Sequence, residues 1–318
     1  MVASSSLVTP TMKRRRRTKK ISFGFMNLVL GLTVVIGTLV VTQTKALQYL
    51  KGKLASGNAQ SGQMIGLLDK GYSKIPNIAP KTAKDENAQW TITLSKAVTG
   101  KKSQGMMLEK TGYVSYFNYD RNNPDWVAWE LTASETKGRL DRKGYLFIPD
   151  ESLPKVNRVA HYDYKKSRYD RGHMCPAGDM KWSAAAMHDC FYMSNVCPQD
   201  HELNQGSWEH LESACRRWAS EMGSIYIVCG PIYNSKTPEY IGIDHRVAVP
   251  DAFFKVIVSL KKGNEKGIAF YYENTDRNQS LATAVRSIDQ IEKMTKFDFF
   301  SELPNNIENR IEAETKLW

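Results

Sequence analysis

The sequence predicts an α+β domain built on a central, mostly antiparallel sheet flanked by helices, and three observations lead there. Strand-like and helix-like segments do not alternate regularly, which argues against a doubly wound parallel sheet. Several strand-like runs are strongly apolar: SIYIVCGPIY from Ser224, AFFKVIVSL from Ala252 and GIAFYYEN from Gly267. One segment, Asn204 to Glu221, carries Trp208, Leu211, Cys215 and Trp218 at three- and four-residue spacing, the pattern of an amphipathic helix.

The other elements follow in chain order. Tyr113 to Phe117 and Trp126 to Leu131 alternate aromatic or apolar residues with polar ones and read as two strands. Asn122-Asn123-Pro124-Asp125 supplies the turn between them. Residues 132–168 read mostly as loop, Trp182 to Cys190 as a short helix, Phe191 to Ser194 as a strand and residues 278–294 as a helix. The folded domain is expected to span 105–318, behind a stalk over 45–104 rich in Lys, Gly, Ser, Asn, Ala and Gln.

The formal net charge of +11 tempts one to infer a polyanionic partner at once, but its distribution argues for caution. Residues 13–20 read KRRRRTKK, and without them the chain has 37 basic against 33 acidic residues. Most of the excess therefore belongs to a basic leader over 1–20. Immediately after it, residues 21–44 contain no charge and include FMNLVLGLTVVIGTLVV. At ~1.5 Å per residue such a run crosses a bilayer core of ~30 Å. The leader's positive charge places the N-terminus in the cytoplasm and the bulk of the chain outside, in a periplasmic or other extracytoplasmic space. The run is longer than an ordinary signal peptide's and no small-residue cleavage site follows it, so an uncleaved signal anchor is preferred to a cleaved, secreted form. A mitochondrial inner-membrane anchor is the alternative, since the leader is rich in Ser and Arg and lacks acids.

Five cysteines, at positions 175, 190, 197, 215 and 229, form no CxxC pair, which disfavours a zinc knuckle. In an oxidising compartment one or two disulfides would be allowed, with pairing left open.

The chemistry concentrates in two segments, YDRGHMCPAGDM (Tyr169 to Met180) and SNVCPQDHELNQGSWEHLE (Ser194 to Glu212). Phosphodiester hydrolysis needs an attacking water, a base and positive charge on the phosphate. His173 suits the base, because a neutral imidazole is available at physiological pH. Gly172 before it permits a sharp turn or close approach to phosphate, and Arg171 offers a bidentate fork. Asn204 supplies an amide oxygen for a hard divalent cation, Mg²⁺ or alternatively Mn²⁺. Glu212 lies eight residues further on, ~12 Å along a helix, too far to share one ion directly. Helical side chains lean toward the N-terminus, so Glu212 is expected to hold a metal-bound water while Asn204 binds directly. Other readings compete: Asn204 as a helix cap, Glu212 as a solvated helix charge, and Arg171 as an ion-pair partner of Asp170 or Glu212. Asp170 is read as structural, and Trp208, Leu211 and Trp218 as core.

These two segments, in this order and separation, resemble the DRGH signature and metal-binding motif of the DNA/RNA non-specific endonucleases, a ββα-metal family that spans secreted bacterial sugar-non-specific nucleases and endonuclease G. The resemblance covers roughly residues 105–310. It implies the roles given above for His173, Asn204 and Glu212, adds Asn195 as an orienting polar group near the metal, and suggests Arg142 as a second phosphate contact. It further implies cleavage of DNA and RNA through their phosphate backbones without sequence preference, leaving 5′-phosphate and 3′-hydroxyl ends. A narrower RNase or toxin, and a binding protein that has lost catalysis, are the rival readings. The oligomeric state is open, with a homodimer among the alternatives.

Overall fold

Strands rich in β-branched and aromatic residues pair where both faces can be covered, and the runs from Asn123, Ser224 and Ala252 meet that condition. The computed structural model describes residues 89–100 and 103–318. The basic leader, the apolar run 21–44 and most of the expected stalk lie outside the described residues. Among those described, no helix is long and apolar enough to cross a membrane.

The main sheet has seven strands: β2 (Gly105–Glu109), β3 (Val114–Asn118), β4 (Asn123–Thr132), β7 (Ser224–Ile232), β10 (Ala252–Ser259), β11 (Lys266–Glu273) and β12 (Val285–Arg286). Their order is β12-β11-β10-β7-β4-β3-β2, and every pairing is antiparallel. The α+β expectation with an antiparallel core sheet is met. The central strands are buried along nearly their whole length, so they read as continuous apolar runs.

Alternate residues serve two separate cores. Val127, Trp129, Leu131, Ile225, Ile227, Phe253 and Ile257 face one layer, packed beneath Trp208, Leu211, Cys215 and Trp218. Trp126, Ala128, Tyr226, Val228, Phe254, Val256 and Val258 face the other. That second face is covered by α4 (Ile288–Thr295) and α5 (Asn305–Glu312) through Ile288, Ile291, Ile307 and Ile311. Each fully buried aliphatic or aromatic side chain contributes about 1.5–3 kcal/mol, which makes this double coverage the main source of stability.

Several boundaries differ from those expected. Residues 89–100, read as the end of the stalk, fold with the domain. Trp90, Ile92 and Leu94 pack on the second core, and β1 (Val98–Gly100) pairs with β13 (Phe297–Phe299). The turn after β3 falls on residues 119–122, with Asn122 at φ 52°, while Pro124 sits inside β4 next to a register shift. Residues 191–194 form no strand. A 3₁₀ turn spans Met193–Asn195, and β6 (Val196–Gln199) follows. The helix read over 278–294 is broken in two, α3 (Leu281–Ala284) and α4, because Ser280 and Ser287 each cap a new start. Between those caps β12 pairs with the edge of β11. All five cysteines are buried thiols, and none is in a disulfide.

Candidate active site

The DRGH segment forms β5 (Asp170–His173), paired antiparallel with β6 so that Asp170 faces Gln199 and His173 faces Val196. This ribbon leads into a helix whose first turn, Leu203–Trp208, is a π-turn and whose remainder is α2 (Glu209–Met222). The π-turn matters for phase. In a regular α-helix eight residues overshoot two full turns by about 80°. A π-turn has more residues per revolution, which reduces the offset between Asn204 and Glu212. Both side chains line one cleft of about 670 Å³, together with Arg142, Arg171 and His173.

His173 is wedged between two rings. Its imidazole lies 4.9 Å from Phe147 and stands edge-on to Phe191 at 5.0 Å. The Nε2 atom is buried and has no hydrogen-bond partner. The guanidinium of Arg171 covers Phe147 at 4.8 Å and that of Arg142 covers Phe191 at 5.6 Å. Burial, reinforced by Arg142 and Arg171, pushes the His173 imidazole down to about 3. The ring is therefore neutral at physiological pH.

Asn204 is oriented from below. Its Nδ2 donates to Asp170 Oδ2 at 2.9 Å, and the same oxygen lies 2.9 Å from His201 Nδ1. With the amide nitrogen engaged, the carbonyl oxygen is the atom left for a cation. Glu212 is half-buried, and burial pushes its carboxyl up to about 7, against the opposing charge of Lys255. A carboxyl so desolvated gains from a nearby cation. The donor set, one amide oxygen and one carboxylate with water in the remaining positions, fits an octahedral, oxygen-seeking ion such as magnesium. Among the described residues, a separate group of acids, Asp289, Glu292 and Glu312, belongs to α4 and α5 on the opposite face of the sheet.

Asn195 does not line the cleft. It is fully buried, its Oδ1 accepting from the Cys175 amide at 2.9 Å and its Nδ2 donating to the carbonyls of Cys175 and Cys190. Its backbone carbonyl accepts from the Met174 amide. With these partners it has no group free to orient anything in the cleft, so it acts by clamping the chain just after His173. Gly172 also serves a purpose other than the one expected. Its φ is not in the left-handed region, and a Cβ there would fall 2.2 Å from Gln199 Oε1 and 2.6 Å from Gln199 Cβ. The glycine makes room for the partner strand.

Other participants were not singled out from sequence. Asp141, Lys181, Gln205, Glu209 and Arg216 also line the cleft. Asp179, fully buried, accepts from Trp129 Nε1 and from Arg216, both at 3.1 Å. Lys255 is fully buried between the rings of Trp208, at 4.1 Å, and Trp129, at 5.7 Å. Burial works against its charge, yet Glu212 and the other surrounding groups hold its pKa above the ordinary lysine value. A single lysine inside the apolar run AFFKVIVS was the one signal available for it.

A two-stranded ribbon thus feeds a helix, with a histidine on the ribbon and an amide and a carboxylate on the helix lining one cleft. The family model described as DNA/RNA non-specific endonuclease matches residues 92–306, and the chain belongs to that family. Among its relatives, the mitochondrial nuclease EXOG of Xenopus laevis is 31% identical over 276 residues, covering 80% of this chain and 74% of that protein. The mitochondrial nuclease 1 of Schizosaccharomyces pombe is 30% identical, covering 83% and 90% respectively. The crystal structure of the EndoG/EndoGI complex contains a similar chain, with a TM-score of 0.62 and 26% identity over 67% of this chain and 92% of that one.

Proposed function

We propose that this protein is a divalent-metal-dependent endonuclease that hydrolyses phosphodiester bonds in DNA and RNA without sequence preference. The observation that carries the reading is the meeting of Arg142, Arg171, His173, Asn204 and Glu212 in one cleft. His173 acts as general base, drawing a proton from a cleft water that then attacks phosphorus. Nδ1 is the nitrogen for that task, because Nε2 is sealed in the wall. Arg171 and Arg142 bind the phosphate oxygens and orient the ester. An imidazole held near 3 is a weak base, but the arriving phosphate neutralises both guanidiniums and so removes two of the three causes of that depression. Asn204 would hold the ion directly and Glu212 through water; Mg²⁺, or Mn²⁺ in its place, would supply positive charge beside the scissile phosphate. Contacts directed at the backbone suit a lack of sequence preference.

The test is turnover of plasmid DNA and of RNA by the purified full chain with Mg²⁺, beside His173→Ala. Loss of about 10²-fold or more in the variant is expected for removal of a general base. Equal rates would overturn the assignment.

We further propose that residues 1–20 and 21–44 serve as leader and membrane anchor for this domain, and that the expected stalk, shortened by the folded residues from Gln89, is 45–88. The relatives from Xenopus laevis, Schizosaccharomyces pombe and Saccharomyces cerevisiae are named as mitochondrial, which favours the inner-membrane alternative over a periplasmic location. Alkaline extraction and protease protection of isolated mitochondria test it, and a soluble, protease-accessible chain would overturn it.

A further inference from the structure

The cleft does not end at Arg171. A second hollow of about 220 Å³ is lined by His161, Tyr164, Lys165, Tyr169, Asp170 and Arg171, so Asp170 and Arg171 form part of both walls. We propose that this hollow and the turn beside it form a further backbone subsite, in which Lys165 on the hollow's wall and Lys166 next to it in the turn each receive a phosphate of the same nucleic-acid strand beyond the bond being cut. The inference rests on the nuclease reading of the main cleft and specifies how the strand leaves it.

The distribution of charge distinguishes this side. The segment 161–171 reads HYDYKKSRYDR. Its two acids are turned to internal use. Asp163 is buried and accepts the backbone amides of Ala160, Ile243, Asp244 and His245, with His245 Nδ1 also 2.9 Å away. Asp170 is engaged with Asn204 and His201. Arg168 lies 3.6 Å from Glu239, whose carboxylate also accepts from the Tyr169 hydroxyl. Among the described residues Lys165 and Lys166 make no ion pair, and both are exposed. The face next to Arg171 thus presents cationic side chains with their neighbouring acids already occupied, the electrostatic footprint of a polyanion contact.

The backbone presents the same two side chains. Lys166 has φ 63°, a left-handed conformation unusual for a lysine. The turn is closed by Ser167, whose amide and hydroxyl both donate to the Tyr164 carbonyl, at 3.2 and 2.9 Å. A turn so closed fixes the backbone from which both lysines project, four residues ahead of Asp170. A bound strand that places one phosphate against Arg171 and its next phosphates on this turn needs no base contact, consistent with backbone recognition.

The test uses the full chain carrying Lys165→Gln with Lys166→Gly, glycine being chosen because it accepts the positive φ. Binding of a labelled single strand is measured by anisotropy in EDTA across a salt series, so that no turnover intrudes. The expected result is a Kd weakened roughly tenfold and a log–log salt slope shallower by about 1.4, the share of two phosphate contacts on a single strand. Lys165→Arg with Lys166 intact, which keeps the charge, should bind like the parent. With Mg²⁺, the ratio of kcat/KM for a long strand to that for a dinucleotide should also fall about tenfold. An unchanged Kd and slope in a variant of unaltered Tm would overturn the subsite. Failure of the nuclease reading shows differently, as strand binding without turnover in the parent protein.

Discussion

Asp170 Oδ2 accepts a hydrogen bond from Asn204 Nδ2 at 2.9 Å, joining the first residue of the DRGH strand to the first turn of the helix. The contact decides which end of the amide faces the cleft. Asp170→Ala should therefore lower cation affinity by about 10–100-fold, the usual effect of losing a partner that orients a ligand. Calorimetric titration with Mn²⁺ measures this directly. An unchanged affinity would mean that Asn204 is held by something else.

The pH dependence of cation binding should come from Glu212. Its carboxyl is pushed up to about 7 by burial, against an ordinary value of 4.5. The folded state therefore holds a proton that the unfolded chain releases. The group's contribution to stability is complete below pH 4.5 and is lost as pH rises through about 7. A cation needs the carboxylate, so cation affinity should rise with pH through this range. Lys255→Met removes the charge that opposes the shift and should move the midpoint to higher pH. Mn²⁺ affinities measured from about pH 6 to 8 check both statements; a flat profile in the parent protein contradicts them.

His173 shows the opposite sign. Its imidazole is depressed to about 3 by burial and by Arg142 and Arg171. Between that value and 6.5 the unfolded chain binds the extra proton, so stability from this group is full above pH 6.5 and is lost as pH falls toward 3. Proton NMR of the resting protein should find this ring still neutral near pH 5, roughly where an ordinary histidine is charged. Arg142→Gln should raise the midpoint, since it removes a like charge.

Gly172→Ala should be severe although it adds one methyl group. The new Cβ would overlap Gln199 at its own Cβ, an atom tied to the backbone of β6, so the ribbon itself has to move. A displacement of about 1 Å at a catalytic group costs on the order of 10²-fold in rate. We expect that loss in kcat with a Tm lowered by several degrees. Wild-type kcat in this variant would show that the ribbon tolerates the shift.

The candidate site residues were legible because a histidine, an arginine, an amide and a carboxylate suited to chemistry at a phosphate stand close together along the chain. His173, Arg171, Asn204 and Glu212 stand in two short segments, and the structure brings them into one cleft. Arg142, placed only by resemblance, lies there as well. The central strands were legible because apolar side chains with high β-propensity run unbroken where a sheet is covered on both faces. Caps and edge pairings were harder to see. Ser287 splits an apparently continuous helix, and β12 exists because β11 offers an edge to pair with.

By itself, the sequence singled out most of the side chains that meet in the cleft and the strands that are covered on both faces, since residue type and local periodicity are written along the chain. Tertiary structure decided the direction each polar atom faces. Asn195 turned inward to clamp Cys175 because buried backbone groups needed partners. Lys255 lies under Glu212's helix because β10 passes beneath it, a juxtaposition of segments some forty residues apart that no local pattern encodes. The phase between Asn204 and Glu212 depends on one π-turn, a feature of packing rather than of spacing.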